Sequence, residues 1–325
     1  MSRWRVPFDP ATVAMKPTRT GFGEALVELG RTDPRVVVLG GDITDSVQTS
    51  LFREAFPQRF FSLGIAEQNM AGVAAGLSLA GKVPFYCTYG VFAAGRAWDQ
   101  IRTTIAYTPC NVKIGGAHGG ISVGPDGATH QALEEFAIMR TLPHMVVLAP
   151  CDANQCHQAT LAAAAHEGPV YLRFGREAAP NFTAPEEPFV IGRARLLREG
   201  AEVTLAGCGH MTWHCLEAAA LLEDEGLDVE VLDLGSIKPL DTACLLASAK
   251  KTLCVVTAEE HQLHGGMGSA VAELLARCLP VPMEMVGVDD RFGESGRPGE
   301  LMEAFGLSAG HIAAACRRAR ARRTR

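Results

Sequence analysis

Several features that would assign a class at once are missing from this sequence. No apolar run reaches about 18 residues, the length a membrane helix needs, and the opening MSRWRVPFDP has no hydrophobic segment. Neither a membrane span nor a secretory signal is therefore expected. The ten cysteines include no C-x-x-C pair, and most sit in apolar runs such as 253-LCVVTA-258. That pattern excludes a disulfide framework and points to reduced thiols acting as small hydrophobes in a cytoplasmic protein. A positive excess is absent too: 30 Lys and Arg against 36 Asp and Glu give a formal net charge of -6, no field for a polyanion such as DNA. The one cationic tract, 317-RRARARRTR-325, reads as a solvated, fraying terminus. No P-loop or zincin signature occurs, and serine-hydrolase chemistry is not expected. The spacing in 151-CDANQCH-157 fits a helix start after a strand better than a metal site.

What is present is the alternation of an α/β protein. At 47% hydrophobic and 20% charged residues the chain can bury a large core, and at 325 residues it exceeds the usual size of one. Short β-branched runs at 36–39, 60–63, 83–88, 111–115, 145–149 and 169–174 alternate with helical patterns near 20–30, 66–80, 92–106, 130–141 and 152–166. Proline and broken periodicity over 177–192 read as a linker, after which strands at 202–207, 228–234, 253–259 and 283–288 restart the alternation. The expected fold is two consecutive doubly wound, mostly parallel-sheet domains, 1–180 and a smaller 190–325. The glycines of 207-GCG-209 read as a tight turn and those of 264-HGGMGSA-270 as close helix packing.

Polar residues cluster at a few strand-to-helix junctions. Glu67 opens the alanine-rich helix of 61-FSLGIAEQNMAGVAAGLSLAG-81. Two readings stand for it: a charge favoured by the helix dipole, or a carboxyl held protonated by burial and able to donate to a ring nitrogen. Tyr89 and Phe92, three residues apart in a chain with only 6% aromatics, are either core residues or a stacking platform for a flat heterocycle. The glycine-rich stretch 116-GAHGGISVGPDGATHQALEE-135 brings His118, Asp126 and His130 to a helix expected to begin near Thr129. These three are read as satisfied loop groups, a facial metal site, or groups that bind hydroxyls and shuttle protons. Arg19 and Arg173 fall at the same edge of the expected sheet, where together they can clamp an anion such as phosphate.

In order along the chain, G-I-A-E-Q at 64–68, T-Y-G-V-F at 88–92, H-x7-D-x3-H from His118 to His130, and D-G-A-T-H-Q at 126–131 resemble the transketolase family of thiamine diphosphate enzymes. The likeness is to the family's C-terminal half, a pyrimidine-binding domain followed by a Rossmann-like C-terminal domain, and it covers about residues 16–316. It implies that Glu67 hydrogen-bonds the aminopyrimidine of the cofactor, that Tyr89 and Phe92 flank this ring, and that Asp42 and Ile43 approach the thiazolium. It further implies that Arg19, Ser46, His118 and Arg173 hold the substrate phosphate, that Asp126 recognises a donor hydroxyl, and that His130 sits at the reacting carbonyl. Glu67 and His130 would be the catalytic pair. Gly95 stands where the family often has a third aromatic, so pyrimidine stacking is either weaker or completed by another group.

The family's diphosphate-binding motifs have no counterpart here, since 40-GGDITD-45 lacks the second glycine of G-D-G and no N-N pair exists. The resemblance therefore implies a separately encoded N-terminal transketolase subunit that binds Mg2+ and the diphosphate, with no metal held by this chain and an α2β2 assembly. The expected function is transfer of a two-carbon ketol unit from a ketose phosphate to an aldose. Three alternatives are the β subunit of a 2-oxo acid dehydrogenase, a deoxyxylulose-phosphate-synthase-like enzyme, and a regulatory subunit that keeps only the fold.

Overall fold

The structure, a computed structural model, describes residues 3–323. The run 36-VVVL-39 shows why a doubly wound sheet forms. As strand Val36–Gly40 it is buried along its whole length, with Val36 and Val38 packed with Phe22 and Leu26 of helix Thr18–Thr32, and Val37 and Leu39 with Met70 and Ala74 of helix Glu67–Leu79. A strand covered on both faces needs continuous apolar sequence, which is what parallel sheets show.

Seven strands make the first sheet, in the order Ser236–Lys238, Val146–Leu148, Val170–Phe174, Lys113–Ala117, Val83–Tyr89, Val36–Gly40 and Phe60–Ser62. All run parallel except the first. Five strands make the second, ordered Met283–Val288, Val255–Gln262, Val203–Gly207, Val229–Asp233 and Arg195–Arg198, of which only the last is antiparallel. The chain is thus α/β with two mostly parallel sheets. Among the described residues, no helix is long and apolar enough to cross a membrane. Eight of the ten cysteines are buried, all ten unpaired. The tight turn at 207–209 is present, with Gly209 at φ 56°, and Gly268 packs closely enough that a Cβ would lie 2.7 Å from Thr257 Oγ1.

Four features differ from the sequence reading. The helix expected from about 130 is confined to Glu135–Arg140, because residues 121–134 form a 3-10 segment and a loop tied by Gln131, whose amide donates to the carbonyls of Ile121, Gly124 and Glu294. The helix expected over 92–106 is interrupted by two widened π segments, Val91–Arg96 and Ile101–Ala106. The sequence break near 180 does not separate two independent bodies. Ser236–Lys238, from the second half, adds the antiparallel edge strand to the first sheet, while Trp4, Val6, Phe8 and Val13 pack on the second domain's core. Finally, the arginine-rich tract, expected as a solvated, fraying terminus, is ordered over most of its described part: helix Ala309–Ala321 docks on the second sheet, with Arg317 paired to Glu225, Arg318 and Arg322 to Glu284, and Arg320 to Glu202. Residues 324 and 325 lie outside the described residues.

Asp152 fastens the linker to the first domain. It caps helix Ala153–Ala165 by accepting the Gln155 N–H at 2.8 Å, and also accepts the N–H groups of Phe182 at 2.8 Å and Thr183 at 2.6 Å. The carboxylate is fully buried, so its loss would leave three backbone donors without partners. An Asp152→Ala variant is expected to lose about 3 kcal/mol or more of unfolding free energy, at roughly 1–3 kcal/mol per unsatisfied buried group. Urea unfolding measures this, and a loss near that of an exposed cap, about 1 kcal/mol, would contradict the assignment.

Candidate active site

Five neighbouring parallel strands end at one edge of the first sheet, and most of the residues singled out in the sequence follow those ends, joined there by Arg176, which was not among them. Glu67 follows Phe60–Ser62, Asp42 and Ser46 follow Val36–Gly40, Tyr89 and Phe92 lie at the end of Val83–Tyr89, His118 follows Lys113–Ala117, and Arg176 follows Val170–Phe174. Open parallel sheets place ligands outside this edge.

On one side of the cleft, Glu67 is 1% exposed in the first turn of its helix, and its Oε2 accepts a 2.8 Å hydrogen bond from Arg96 Nη1. Burial is therefore accompanied by a salt bridge to Arg96, at the N-terminal end of the helix. Arg96 also lies over the Phe92 ring, 4.5 Å from its centroid. His130 meets both Phe92 and Tyr89 edge-on at 5.4 and 5.6 Å, and its Nδ1 is 2.8 Å from Thr129 Oγ1. Tyr89 and Phe92 are thus only partly buried and line the cleft.

Across the cleft, the Tyr89 ring packs on His118 at 4.2 Å, and Ser46 Oγ is 3.1 Å from Tyr89 Oη and 3.2 Å from His118 Nε2. Arg19 donates to the Ser46 carbonyl at 2.7 Å. Arg176 donates to Asp126 Oδ1 at 3.1 Å and to the Val123 carbonyl at 3.2 Å. Burial, reinforced by Arg19, Arg176 and His130, pushes the His118 imidazolium down to about 3, so His118 is neutral near pH 7. Burial and the nearby Arg176 also lower Arg19. Asp42 is exposed, in a left-handed conformation at φ 64°, and accepts from Ser62 Oγ at 3.1 Å, while Ile43 packs against the core beneath it.

One expected site residue is not brought to the cleft. Arg173 lies inside strand Val170–Phe174, is 5% exposed, and points into the seam between the domains. There its Nε pairs with Glu135 at 3.1 Å, its Nη2 donates to the Glu260 carbonyl at 2.8 Å, and its guanidinium covers Phe136. Buried and held by Glu135, the Glu260 carbonyl and Phe136, that guanidinium is turned to the seam and not to the cleft where a phosphate would be clamped. Arg176, two residues past the strand's end, takes the cleft position. The signal was present in 170-VYLRFGR-176, because an arginine within a doubly covered strand must point into the protein and one beyond its end need not. Arg96 was missed for a different reason, since its pairing with Glu67 joins two separate helical segments, a tertiary contact that sequence periodicity does not show.

The glycines of this loop also have a structural cause. Gly120 has φ 90°, and a Cβ there would lie 2.4 Å from Arg173 Nη2 and 2.6 Å from Glu260 Oε1. The same stretch, 120-GISVG-124, has the spacing of a serine nucleophile elbow, but Ser122 is buried, lies in a 3-10 segment and has no hydrogen-bond partner on its Oγ. No histidine activates it, so it does not form the base-activated pair that such chemistry requires.

Residues 14–181 match the family profile "Transketolase, pyrimidine binding domain" and residues 192–312 match "Transketolase, C-terminal domain". The chain belongs to the transketolase family. This transketolase chain is 41% identical to a 6-deoxy-6-sulfo-D-fructose transketolase subunit of Clostridium sp. (strain MSTE9), over 90% of this chain and 91% of that one. It is 36% identical to an apulose-4-phosphate transketolase subunit of Phocaeicola vulgatus, over 89% and 93%. A split gene transketolase solved as an inactive β4 tetramer superposes with a TM-score of 0.89 at 49% identity, covering 95% of this chain and 99% of that one.

A pyrimidine-binding domain implies thiamine diphosphate, and the cleft fits the pyrimidine half of that molecule. Among the described residues no hydrogen bond engages Glu67 Oε1, and the aromatic rings of Phe92 and Tyr89 stand on the same side of the sheet. Backbone crowds the opposite wall, where a Cβ on Gly41 would lie 3.2 Å from the Gly64 carbonyl. Nothing comparable exists for a metal: among the described residues no group of three His, Cys, Asp or Glu is placed to hold one.

Because His118 titrates normally near 6.5 but is pushed to about 3 in the fold, the unfolded chain takes up its proton first on acidification. Stability from this group is present above pH 6.5 and is lost as pH falls from there toward 3. A His118→Gln variant is expected to lose less stability than wild type between pH 7.5 and pH 5, a difference read from paired urea unfolding curves. Parallel pH profiles would show that His118 is not held neutral.

Proposed function

We propose that this chain is the C-terminal subunit of a two-component transketolase that moves a two-carbon ketol unit from a ketose phosphate to an aldose. The observation that carries the reading is one continuous line of contacts from Glu67 through Arg96, Phe92, His130, Tyr89, His118 and Ser46 to Arg19, with Arg176 and Asp126 nearby. A hydrogen-bonding carboxylate for a ring stands at one end, and a cationic edge for a phosphate stands at the other. The subunits of two-component transketolases among its relatives support the same reading.

When bound, thiamine diphosphate supplies the nucleophilic carbon that carries the two-carbon unit. The residues of this chain then have separate tasks. Glu67 Oε1 holds the hydrogen bond to the pyrimidine nitrogen, and its charge favours a proton on that nitrogen. Phe92 and Tyr89 orient the ring by stacking. His130, with Nδ1 turned to Thr129, offers Nε2 to the reacting carbonyl, and Asp126 takes a donor hydroxyl. Arg19, Arg176, Ser46 and neutral His118 take the phosphate, an arrangement of charge-assisted and neutral donors suited to a dianion. Asp42 and Ile43 face the thiazolium side.

Mg2+ and the diphosphate belong to a separately encoded subunit in this reading, and the assembly is α2β2. Two surface features support a partner at the cleft. Ile65, two residues before Glu67, is 71% exposed, and a Cβ on Gly72 or Gly76 of the same helix would meet nothing within 4 Å. Carbohydrate metabolism in the cytoplasm is the setting that follows.

The test is reconstitution with a diphosphate-binding subunit, thiamine diphosphate, Mg2+, a ketose phosphate and an aldose acceptor. Turnover is expected from the pair and not from this chain alone. No turnover in the pair, or consumption of pyruvate in place of ketol transfer, would overturn the assignment. Glu67→Ala is expected to lower kcat by ~100-fold or more, as for loss of a positioned proton-handling group. Arg176→Ala is expected to raise KM for the phosphorylated sugar by about 10-fold or more with a smaller change in kcat, because it removes a binding contact. Arg173→Ala should instead lower stability; a phosphate-specific KM effect from Arg173 and none from Arg176 would return the phosphate-binding role to Arg173.

A further inference from the structure

The ion pair between Arg96 and Glu67 is not required by the division of tasks above, yet it joins the two groups that a pyrimidine would need. Phe92 and Arg96 lie on the same widened turn, Val91–Arg96. Ala93 and Ala94 anchor that turn in the core, while Gly95 is exposed and a Cβ there would meet nothing within 4 Å. The turn therefore projects Gly95 away from the cleft and returns Arg96 over Phe92. Glu67 comes from a different helix, and the Arg96 guanidinium spans the gap, 2.8 Å from Oε2 and 4.5 Å from the centre of the Phe92 ring. Its side chain is 44% exposed, so the guanidinium keeps part of its hydration while the carboxylate does not.

We infer that Arg96 is a positioning residue for Glu67 and Phe92. By holding Oε2, it leaves Oε1 as the oxygen that faces the ring nitrogen, and by lying on Phe92 it sets the stacking surface relative to that oxygen. The planar guanidinium takes the place of a third aromatic at residue 95, which explains how a glycine is tolerated there. A lysine cannot substitute: its ammonium is a point charge without a flat face, so it can reach the carboxylate or the ring but does not bridge them with one rigid group. This inference rests on the cofactor reading of the cleft.

Two measurements test it. On the isolated chain, a double-mutant cycle of Arg96→Gln and Glu67→Gln in urea unfolding is expected to be non-additive, with Glu67→Gln relieving much of the loss caused by Arg96→Gln. Additive effects would overturn the pairing. On the reconstituted pair, the dissociation constant for thiamine diphosphate at fixed Mg2+, followed by protein fluorescence, is expected to rise about 10-fold or more in both Arg96→Gln and Arg96→Lys. In the same variants kcat is expected to fall while KM for the sugar phosphate stays near wild type. Affinity equal to wild type would overturn the inference, and so would tighter binding, which would make Arg96 a group the cofactor displaces. If the wild-type pair itself failed to bind the cofactor, both this inference and the proposed function would fall; wild-type binding with indifferent Arg96 variants would remove this one alone.

Discussion

The constraint on which the rest of this molecule depends is that its central strands are covered on both faces. A strand such as Val36–Gly40 has no solvent side on which to place a polar group, so its chemistry must lie beyond its end. Five adjacent parallel strands share the same direction, and their ends form one line. That geometry, more than any single motif, gathers residues as far apart in sequence as Arg19 and Arg176 into one cleft. It also penalises small errors of position. Arg173 and Arg176 are neighbours in sequence, yet one braces the inside of the protein and the other faces the cleft, because the strand ends between them.

The second domain buttresses the candidate site from behind. Glu260 accepts the Ser122 N–H at 2.8 Å, Gln131 donates to the Glu294 carbonyl, and the Gln262 N–H donates to Leu133. The loop that carries His118, Asp126 and His130 is therefore supported from behind by residues of the second half. Arg173 and Glu135 fill the same seam, where burial pushes the Glu135 carboxyl up to about 7 even with the guanidinium beside it. The exchange of segments reinforces the arrangement, since Ser236–Lys238 completes the first sheet while Trp4 and Phe8 cover the second domain. Mutations in the second domain should thus be read first as changes in the support of this loop.

Much of this was legible because the signals are local. The β-branched runs, the capping Asp152, and the order of Glu67, Tyr89, Phe92, His118, Asp126 and His130 all depend on short stretches of chain, and the structure brings Phe92, His118 and His130 each against Tyr89. What could not be read depends on three-dimensional closure. The strand Ser236–Lys238 looks like part of the second domain until it is seen paired with Val146–Leu148. The arginine-rich tail looks unpaired until Glu202, Glu225 and Glu284, distant in sequence, are found beside it. The pairing of Arg96 with Glu67 joins the π turn at Val91–Arg96 to a separate helix, and no hydrophobic period marks such a tertiary contact. The late start of helix Glu135–Arg140 is set by Gln131 and its three carbonyl partners, which are tertiary contacts.

The electrostatics of the cleft run against those of the whole chain. With a net charge of -6 the protein as a whole repels anions, and a phosphate would find no general attraction. Arg19 and Arg176 are nevertheless close enough for each to oppose the other's charge and, together with burial, to keep His118 neutral. That repulsion is a cost the folded chain carries when the cleft holds no anion. Asp126, 3.1 Å from Arg176, and Glu177, 3.4 Å from it, offset part of that cost, and an anion between the two guanidinium groups would offset more. The carboxylate at the other end is treated differently, since Arg96 already neutralises Glu67 within the chain. One end of the cleft thus has its carboxylate paired one-to-one before any ligand arrives, as would suit a hydrogen bond to a ring, while at the other Arg176 is paired with Asp126 and Arg19 holds only the Ser46 carbonyl, as would suit an anionic substrate.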